Sequence, residues 1–131
     1  MLSVPPEVRI YLCTVSTDMR RSFDGLLALA REHIERDPLS GGLYVFLNRR
    51  RDRVKLLWWD TDGLAIFYKR LESGTFELPP VAEGARSVTL SATQLALLLG
   101  GIELSSVRRR KRFELPENSP IRSAPGGVQS A

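Results

Sequence analysis

Residues 48–72 read NRRRDRVKLLWWDTDGLAIFYKRLE and carry the strongest structural signal in the chain. Two stretches of β-branched, aromatic and leucine residues, 53–59 and 64–71, lie on either side of the sequence Asp-Thr-Asp-Gly at 60–63. An Asp-Gly pair between two strand-forming stretches is a strong hairpin signal. The segment therefore predicts an antiparallel hairpin. Its cationic end is formed by Arg49, Arg50, Arg51, Arg53 and Lys55.

The hairpin is predicted to have one cationic face and one apolar face, because side chains alternate along a strand. The cationic face is expected to carry Arg53, Lys55, Trp59, Tyr68 and Arg70. The apolar face is expected to carry Val54, Leu56, Trp58, Phe67 and Leu71. We expect helices to cover the apolar face and leave the cationic face as the working surface. Lys69 falls on the apolar side, where its ammonium is expected to extend past the core edge.

The segments before the hairpin predict a strand, a helix and a second strand. Residues 8–13 alternate as a strand does, and 43–47 (LYVFL) form a short apolar run rich in strand formers. Between them, apolar residues recur at helical spacing from about Phe23 to Arg36, and Asp37-Pro38 ends that helix. Residues 48–52 then form the loop that turns the chain into the hairpin.

The segments after the hairpin predict a second helix. Ser91 and Gln94 form a capping box before a leucine-rich helix over about 91–99. Residues 74–78 are a candidate edge strand, and 88–90 fit either a short strand or an approach to the helix. The predicted fold class is α+β: one compact domain with an antiparallel sheet of about four or five strands and two helices packed on one face.

The length of 131 residues predicts one domain, which we place at 1–104. Residues 105–131 are basic and rich in Pro, Ser and Gly, so a disordered, flexible tail is expected there. No apolar run is long enough to span a bilayer, and no secretion signal is evident. Cys13 is the single cysteine, so no internal disulfide can form. Together these features favour a cytoplasmic protein without a membrane partner.

The net charge of +4 is distributed in clusters, which favours binding to a polyanion. Arginine pairs well with phosphate oxygens, since its planar guanidinium donates two parallel hydrogen bonds. The predicted nucleic-acid-binding residues are Arg49, Arg50, Arg51, Arg53, Lys55, Lys69 and Arg70. Additional candidate contacts are Arg20, Arg21, Trp59, Tyr68, Arg108, Arg109 and Arg110. Each cluster also has a structural alternative. The hairpin end would be solvated, with Asp52 balancing one charge, and the tail would serve solubility. Arg20 and Arg21 would form a fixed pairing with Asp18 and Asp24.

The sequence predicts no catalytic residue, metal site or cofactor. Asp60 and Asp62 fit a turn, and Asp24 fits a helix N-terminus, so a two-metal nuclease site is rejected. His33 is the single histidine and cannot form a metal site by itself. Cys13 lies in a predicted strand and is expected to pack as a small apolar residue.

Several dense motifs resemble those of one protein family. Residues 18–26 read DMRRSFDGL, similar to the family signature DMRKGFDGL. The same resemblance extends, in order, through LYVF at 43–46, RRRDRVKLLWWD at 49–60, DGL at 62–64, YKRLE at 68–72 and the closing segment 90–101. The family is TnpB, the small accessory protein of IS-66-type bacterial insertion sequences, and the resemblance spans about positions 5 to 104. Trp58 and Thr61 depart from the usual pattern, and the tail lies outside it.

The resemblance implies a non-catalytic accessory role in transposition, beside a separate and larger transposase. It gives no catalytic residues to carry over. The implied partners are DNA, at the ends of the element, and the transposase and other proteins of the same insertion sequence. A homo-oligomer is compatible with the sequence. The alternative function is a protein-interaction module that docks on the transposase without contacting DNA itself.

Overall fold

The predicted hairpin lies at one edge of a five-stranded sheet in a computed structural model that describes residues 7–100. The strands are β1 (Ile10–Cys13), β2 (Leu43–Leu47), β3 (Arg53–Asp60), β4 (Gly63–Arg70) and β5 (Ser87–Leu90). The α-helices are α1 (Phe23–Leu29) and α2 (Ala92–Gly100). The order across the sheet is β4-β3-β2-β1-β5. The single domain with a five-stranded sheet and two helices confirms the predicted fold class.

The register of the hairpin agrees with the sequence prediction. Arg53 pairs with Arg70 and Asp60 with Gly63, so two residues, Thr61 and Asp62, form the turn. Odd positions of β3 therefore pair with even positions of β4. Lys55 lies opposite Tyr68 and shares its face of the sheet, as expected.

The sheet is mixed, so the prediction of an antiparallel sheet is wrong for one pair of strands. β1 runs parallel to β2, with Ile10 opposite Leu43. Parallel neighbours need a crossover connection, which is usually helical. Here α1 lies between β1 and β2 in the chain and forms part of that connection. The remaining pairs, β1–β5, β2–β3 and β3–β4, are antiparallel.

The two helices lie on opposite faces of the sheet, so the prediction that both cover one face is wrong. On the α1 side, Leu26 and Ala30 pack against Tyr44, Phe46 and Leu57. On the α2 side, the core contains Ile10, Leu12, Leu43, Val45, Leu47, Val54, Leu56, Leu90, Leu95 and Leu98. All five residues of β2 are buried. A strand that is apolar on both faces needs cover on both sides, and one helix supplies each.

Both helices begin and end near the predicted residues. The first continues beyond α1 as a π-helical segment, Ala30–Ile34, and ends where Glu35 adopts the left-handed conformation. The capping box before α2 is formed in both directions. Ser91 N donates to Gln94 Oε1 at 2.8 Å, and Gln94 N donates to Ser91 Oγ at 3.0 Å. The alternative left open for 88–90 is settled by β5.

The candidate edge strand at 74–78 is not formed. The side chain of Phe76 is buried in the core on the α2 side, and its backbone N donates to the carbonyl of Arg51 at 2.7 Å. The segment thus closes the core instead of extending the sheet. Within residues 7–100, no helix has the length and apolar character needed to cross a membrane. The predicted tail at 105–131, with Arg108, Arg109 and Arg110, lies outside the described residues.

Candidate nucleic-acid interface

The arginine loop, residues 48–53, comprises the connection from β2 to β3 and the first residue of β3, and it is organised by Asn48. Asn48 Oδ1 accepts hydrogen bonds from the backbone N of Asp52 and of Arg53, both at 3.0 Å. Its Nδ2 donates to Asp52 Oδ1 at 2.6 Å. Asn and Asp commonly bond the backbone of their own turn. Asn48 was not among the predicted site residues, although an Asn that opens a predicted turn is a recognisable signal.

Backbone bonds hold the arginine loop against its neighbours. Arg51 adopts φ = 62°, and its N donates to the carbonyl of Asn48 at 3.0 Å. The carbonyls of Arg51 and Asp52 accept from Phe76 N and Leu71 N, both at 2.7 Å. The loop is therefore fixed in one conformation before any partner arrives.

The guanidinium groups of the arginine loop form no ion pair with a carboxylate of residues 7–100, although Asp52 lies near Arg50 and Arg53. Arg49, Arg50 and Arg51 are exposed and Arg53 is half-buried. Among the ion pairs of residues 7–100, none involves these four arginines. The nearest acid in sequence, Asp52, is bonded to Asn48, and this hydrogen bond is the main reason that its pKa is lowered. Four arginines and one aspartate leave the loop with a net charge of +3.

Arg20 and Arg21 follow the end of β1 and differ in what they contact. Arg20 Nη2 pairs with Asp18 Oδ2 at 2.6 Å, and this side-chain bond lowers the pKa of Asp18 to about 2. The Arg20 side chain remains 91% exposed. Arg21 Nη1 donates to the carbonyl of Gly25 at 3.1 Å, within the first turn of α1. The expected pairing with Asp18 is thus formed by Arg20, and Arg21 bonds the helix backbone instead of Asp24.

Lys55 is 8% exposed, so the prediction that it projects from a wet face is wrong. Its Nζ donates to the carbonyls of Met19 and Arg21 at 2.8 and 2.7 Å, and it lies 4.7 Å from the centre of the Tyr68 ring. The chain segment that enters α1 covers this part of the face. A buried ammonium with two carbonyl acceptors has a structural role.

Lys69 and Arg70 are also bound within the protein. Lys69 Nζ donates to the carbonyl of Leu99 at 2.9 Å, in the last turn of α2. A cation at a helix C-terminus is stabilising because it meets unpaired carbonyls and the negative end of the helix dipole. Arg70 pairs with Glu72 at 2.9 Å in an exposed ion pair. The seven predicted binding residues therefore separate into four in the arginine loop and three with partners elsewhere.

The two exposed aromatic candidates lie at different ends of the hairpin. Tyr68 is 46% exposed and adjoins the arginine loop, where Arg53 Nη1 donates to its hydroxyl at 3.4 Å. Trp59 is 42% exposed but lies four residues along β3 from Lys55, which pairs with Tyr68. At about 3.3 Å per residue, that separation is roughly 13 Å. Tyr68 belongs to the site, whereas Trp59 does not adjoin it.

A cleft of about 660 Å³ separates the arginine loop from the segment that follows β1. Arg49, Arg50 and Arg53 line one side, and Thr17 and Arg20 line the other. Asp18, Met19, Asn48, Asp52 and Tyr68 complete the lining. The fold thus places two segments that are about 30 residues apart in sequence on opposite sides of one cationic cleft. Sequence reasoning singled out both segments without predicting that they meet.

Within residues 7–100, no group of three or more His, Cys, Asp or Glu side chains is placed to hold a metal ion. His33 Nε2 lies 3.2 Å from Thr14 Oγ1, which connects the first helix to the end of β1. Cys13 is buried as expected, and burial raises the pKa of its thiol.

Comparison with known proteins gives matches over most of the chain. The family described as IS66 Orf2 like protein matches residues 8–109. The uncharacterized protein y4jC of Sinorhizobium fredii is 37% identical over 110 residues, which cover 84% of this chain and 92% of that protein. The uncharacterized protein y4hO of the same organism is 38% identical over 103 residues, covering 79% and 88%. No solved structure gives a significant match.

Proposed function

The chain belongs to the IS66 Orf2-like family of insertion-sequence accessory proteins, and from this premise we propose that it binds DNA through the arginine loop without catalysing a reaction. The loop contacts phosphates, and the protein thereby holds DNA, at the ends of the element, for the separate transposase. Phosphate contacts position a protein on DNA without reading its sequence.

One observation supports this function most strongly. Four guanidinium groups occupy a short loop that is fixed by hydrogen bonds, and none of them pairs with a carboxylate of residues 7–100. Fixed, unneutralised cations attract a polyanion and release its counterions on binding. The same arrangement without a partner keeps like charges together at a cost in stability, which favours a binding role.

The test is the binding of a 20-base-pair duplex to the full chain and to the variant R49E/R50E/R51E. We expect the variant to lose affinity for duplexes of any sequence. The slope of log K against log salt should also become smaller, by about one unit for each phosphate that the variant no longer binds. Fluorescence anisotropy at several salt concentrations measures both quantities.

A matched control places the same charge change at the other end of the sheet. Arg9 adjoins the start of β2, since Leu43 N donates to its carbonyl, whereas the arginine loop follows the end of β2. Arg36 lines the same surface hollow as Arg9, and Arg31 pairs with Asp37 of that hollow. The control variant R9E/R31E/R36E should lose much less affinity. Equal losses in the two variants would contradict a site at the arginine loop.

The alternative, docking on the transposase, can be tested at α2. Leu97 lies on α2 with 50% of its surface exposed, unlike its buried neighbours Leu95 and Leu98. A single exposed leucine is ordinary on a protein surface, so the variant L97E, and not the exposure itself, tests this alternative. Capture of the element's transposase after nuclease treatment, abolished in the variant L97E, would support this function. Capture that disappears with nuclease would instead indicate a DNA bridge.

A further inference from the structure

We propose that the cleft beside the arginine loop binds single-stranded DNA, with a phosphate between its two walls and a base against Tyr68. The inference rests on the proposed DNA-binding function and makes it more specific. A protruding loop can contact the phosphates of a duplex without an adjacent cavity. Here the cationic groups face a cleft of about 660 Å³, within the usual range of ligand-binding cavities.

The charges of the cleft lie on two sides. Arg20 lines one wall, and Arg49, Arg50 and Arg53 line the other, with Asp18 and Asp52 as the two acids. Asp18 is paired with Arg20, whereas Asp52 is bonded to the neutral amide of Asn48 and keeps its negative charge near Arg50 and Arg53. The guanidinium groups of the second wall remain available, and guanidinium forks match phosphate oxygens.

Both walls are fixed by hydrogen bonds within the protein. Lys55 holds the carbonyls of Met19 and Arg21, and Thr17 N donates to the carbonyl of Leu47 at 2.8 Å. Asn48 fixes the opposite wall, as described above. A preformed site loses less conformational entropy on binding than one that must be ordered by its ligand. The cleft is therefore a feature of the folded protein and not a gap between mobile loops.

Thr17 provides a second, independent observation. Its side chain is 4% exposed, and its Oγ1 has no hydrogen-bond partner among the described residues. Unpaired buried hydroxyls are uncommon in folded proteins and call for a specific explanation. Thr17 lines the cleft. Less than 1 Å² of this oxygen is exposed, so a phosphate in the cleft would give it a partner only if the hydroxyl turned towards the cleft.

The partly exposed ring of Tyr68 in the cleft lining favours a single strand over a duplex. Lys55 occupies one face of the Tyr68 ring, but the residue lines the cleft and is 46% exposed, so part of the ring is accessible to a base. Base stacking on aromatic rings is typical of single-strand binding and tolerates any sequence. In a duplex the bases are paired and stacked within the helix, so their faces are not available to Tyr68. A single strand presents both its phosphates and its bases.

The first experiment compares two arginines of the same loop. Arg50 lines the cleft and Arg51 does not, although both are exposed. The variants R50Q and R51Q remove the same charge, shorten both side chains equally and keep them polar. With a labelled ten-residue oligothymidine, we expect R50Q to weaken binding by about tenfold and R51Q by no more than about threefold. Equal losses would overturn the cleft as the site.

The second experiment tests stacking. Y68L removes the ring from an exposed position of β4, whereas Y68F keeps it. We expect Y68L to weaken oligothymidine binding by about five- to one-hundredfold, while Y68F binds within about twofold of the original protein. Equal affinity in Y68L and Y68F would overturn the contact with a base. Circular dichroism of both variants identifies a loss of folding.

The experiments distinguish an incorrect assignment of the cleft from an absence of DNA binding. The cleft would be overturned, and the proposed function would stand, by two results together. Duplex binding would fall equally in R50Q and R51Q, and oligothymidine would bind more weakly than duplex. Absence of binding to both nucleic acids would overturn both. Preference for oligothymidine over duplex, abolished in R50Q and in Y68L, would support the cleft.

Discussion

The ammonium of Lys55 connects the sheet to the segment that enters α1. In the variant K55M, two hydrogen bonds to a charged donor disappear and the carbonyls of Met19 and Arg21 lose their partner. We expect the free energy of unfolding to fall by roughly 2–3 kcal/mol, because bonds to charged groups contribute about 1.5–3 kcal/mol each and some of this is recovered by hydration. Urea denaturation measures the change.

The control for K55M is R50M, which removes an exposed cation from the same hairpin. Exposed substitutions of this kind usually change stability by less than about 0.5 kcal/mol. A K55M variant as stable as R50M would show that Lys55 does not stabilise the segment that enters α1. Lys55 would then return to the set of candidate DNA contacts.

Asp18 predicts a specific pH dependence. Arg20 lowers the pKa of Asp18 to about 2, so the folded state favours the ionised carboxylate. The contribution of this pair to stability is therefore present above the ordinary pKa range of an aspartate and is lost as the pH falls towards 2. In the variant R20Q, the pKa should rise towards its ordinary value, although the backbone bond from residue 20 remains. Carboxyl chemical shifts followed by NMR give both pKa values; identical values in the two proteins would contradict the assignment.

Helix α2 depends on a residue of β4. In the variant K69M, the carbonyl of Leu99 loses its charged donor, so we expect the last turn of α2 to be less stable by about 1 kcal/mol. Faster amide hydrogen exchange within Ala92–Gly100 measures this loss, and K69R should largely prevent it. DNA affinity should not change beyond the effect of one charge. A large loss of affinity with unchanged exchange would place Lys69 in the DNA interface instead.

The elements themselves were largely predictable, but their arrangement was less so. The hairpin, the capping box and the first helix follow from local patterns, since turn residues and periodicity act over a few positions. The orientation of β1 and the positions of the helices depend on tertiary packing. The apolar run LYVFL of β2 did contain a signal, because a strand without alternation is buried on both faces and needs two layers of cover.

For the molecule as a whole, part of the candidate site was predictable from the sequence and part was not. The arginine loop is evident in the sequence, as a cluster of like charges in a predicted turn. The role of Lys55 was not, because alternation assigns a residue to a face but does not reveal what covers that face. The cleft arises because β1 and β2 are parallel, so the segment that follows β1 and the arginine loop leave the sheet at the same edge. No local pattern specifies the distance between the two walls.

At position 51, folding stability and positive charge favour different residues. At φ = 62°, a glycine would relieve the steric cost that an L-amino acid pays there, but it would also remove a cation from the loop. A more stable backbone and a more positive surface therefore require different residues at this position. R51G should therefore raise the stability of the folded protein while lowering the charge of the loop by one.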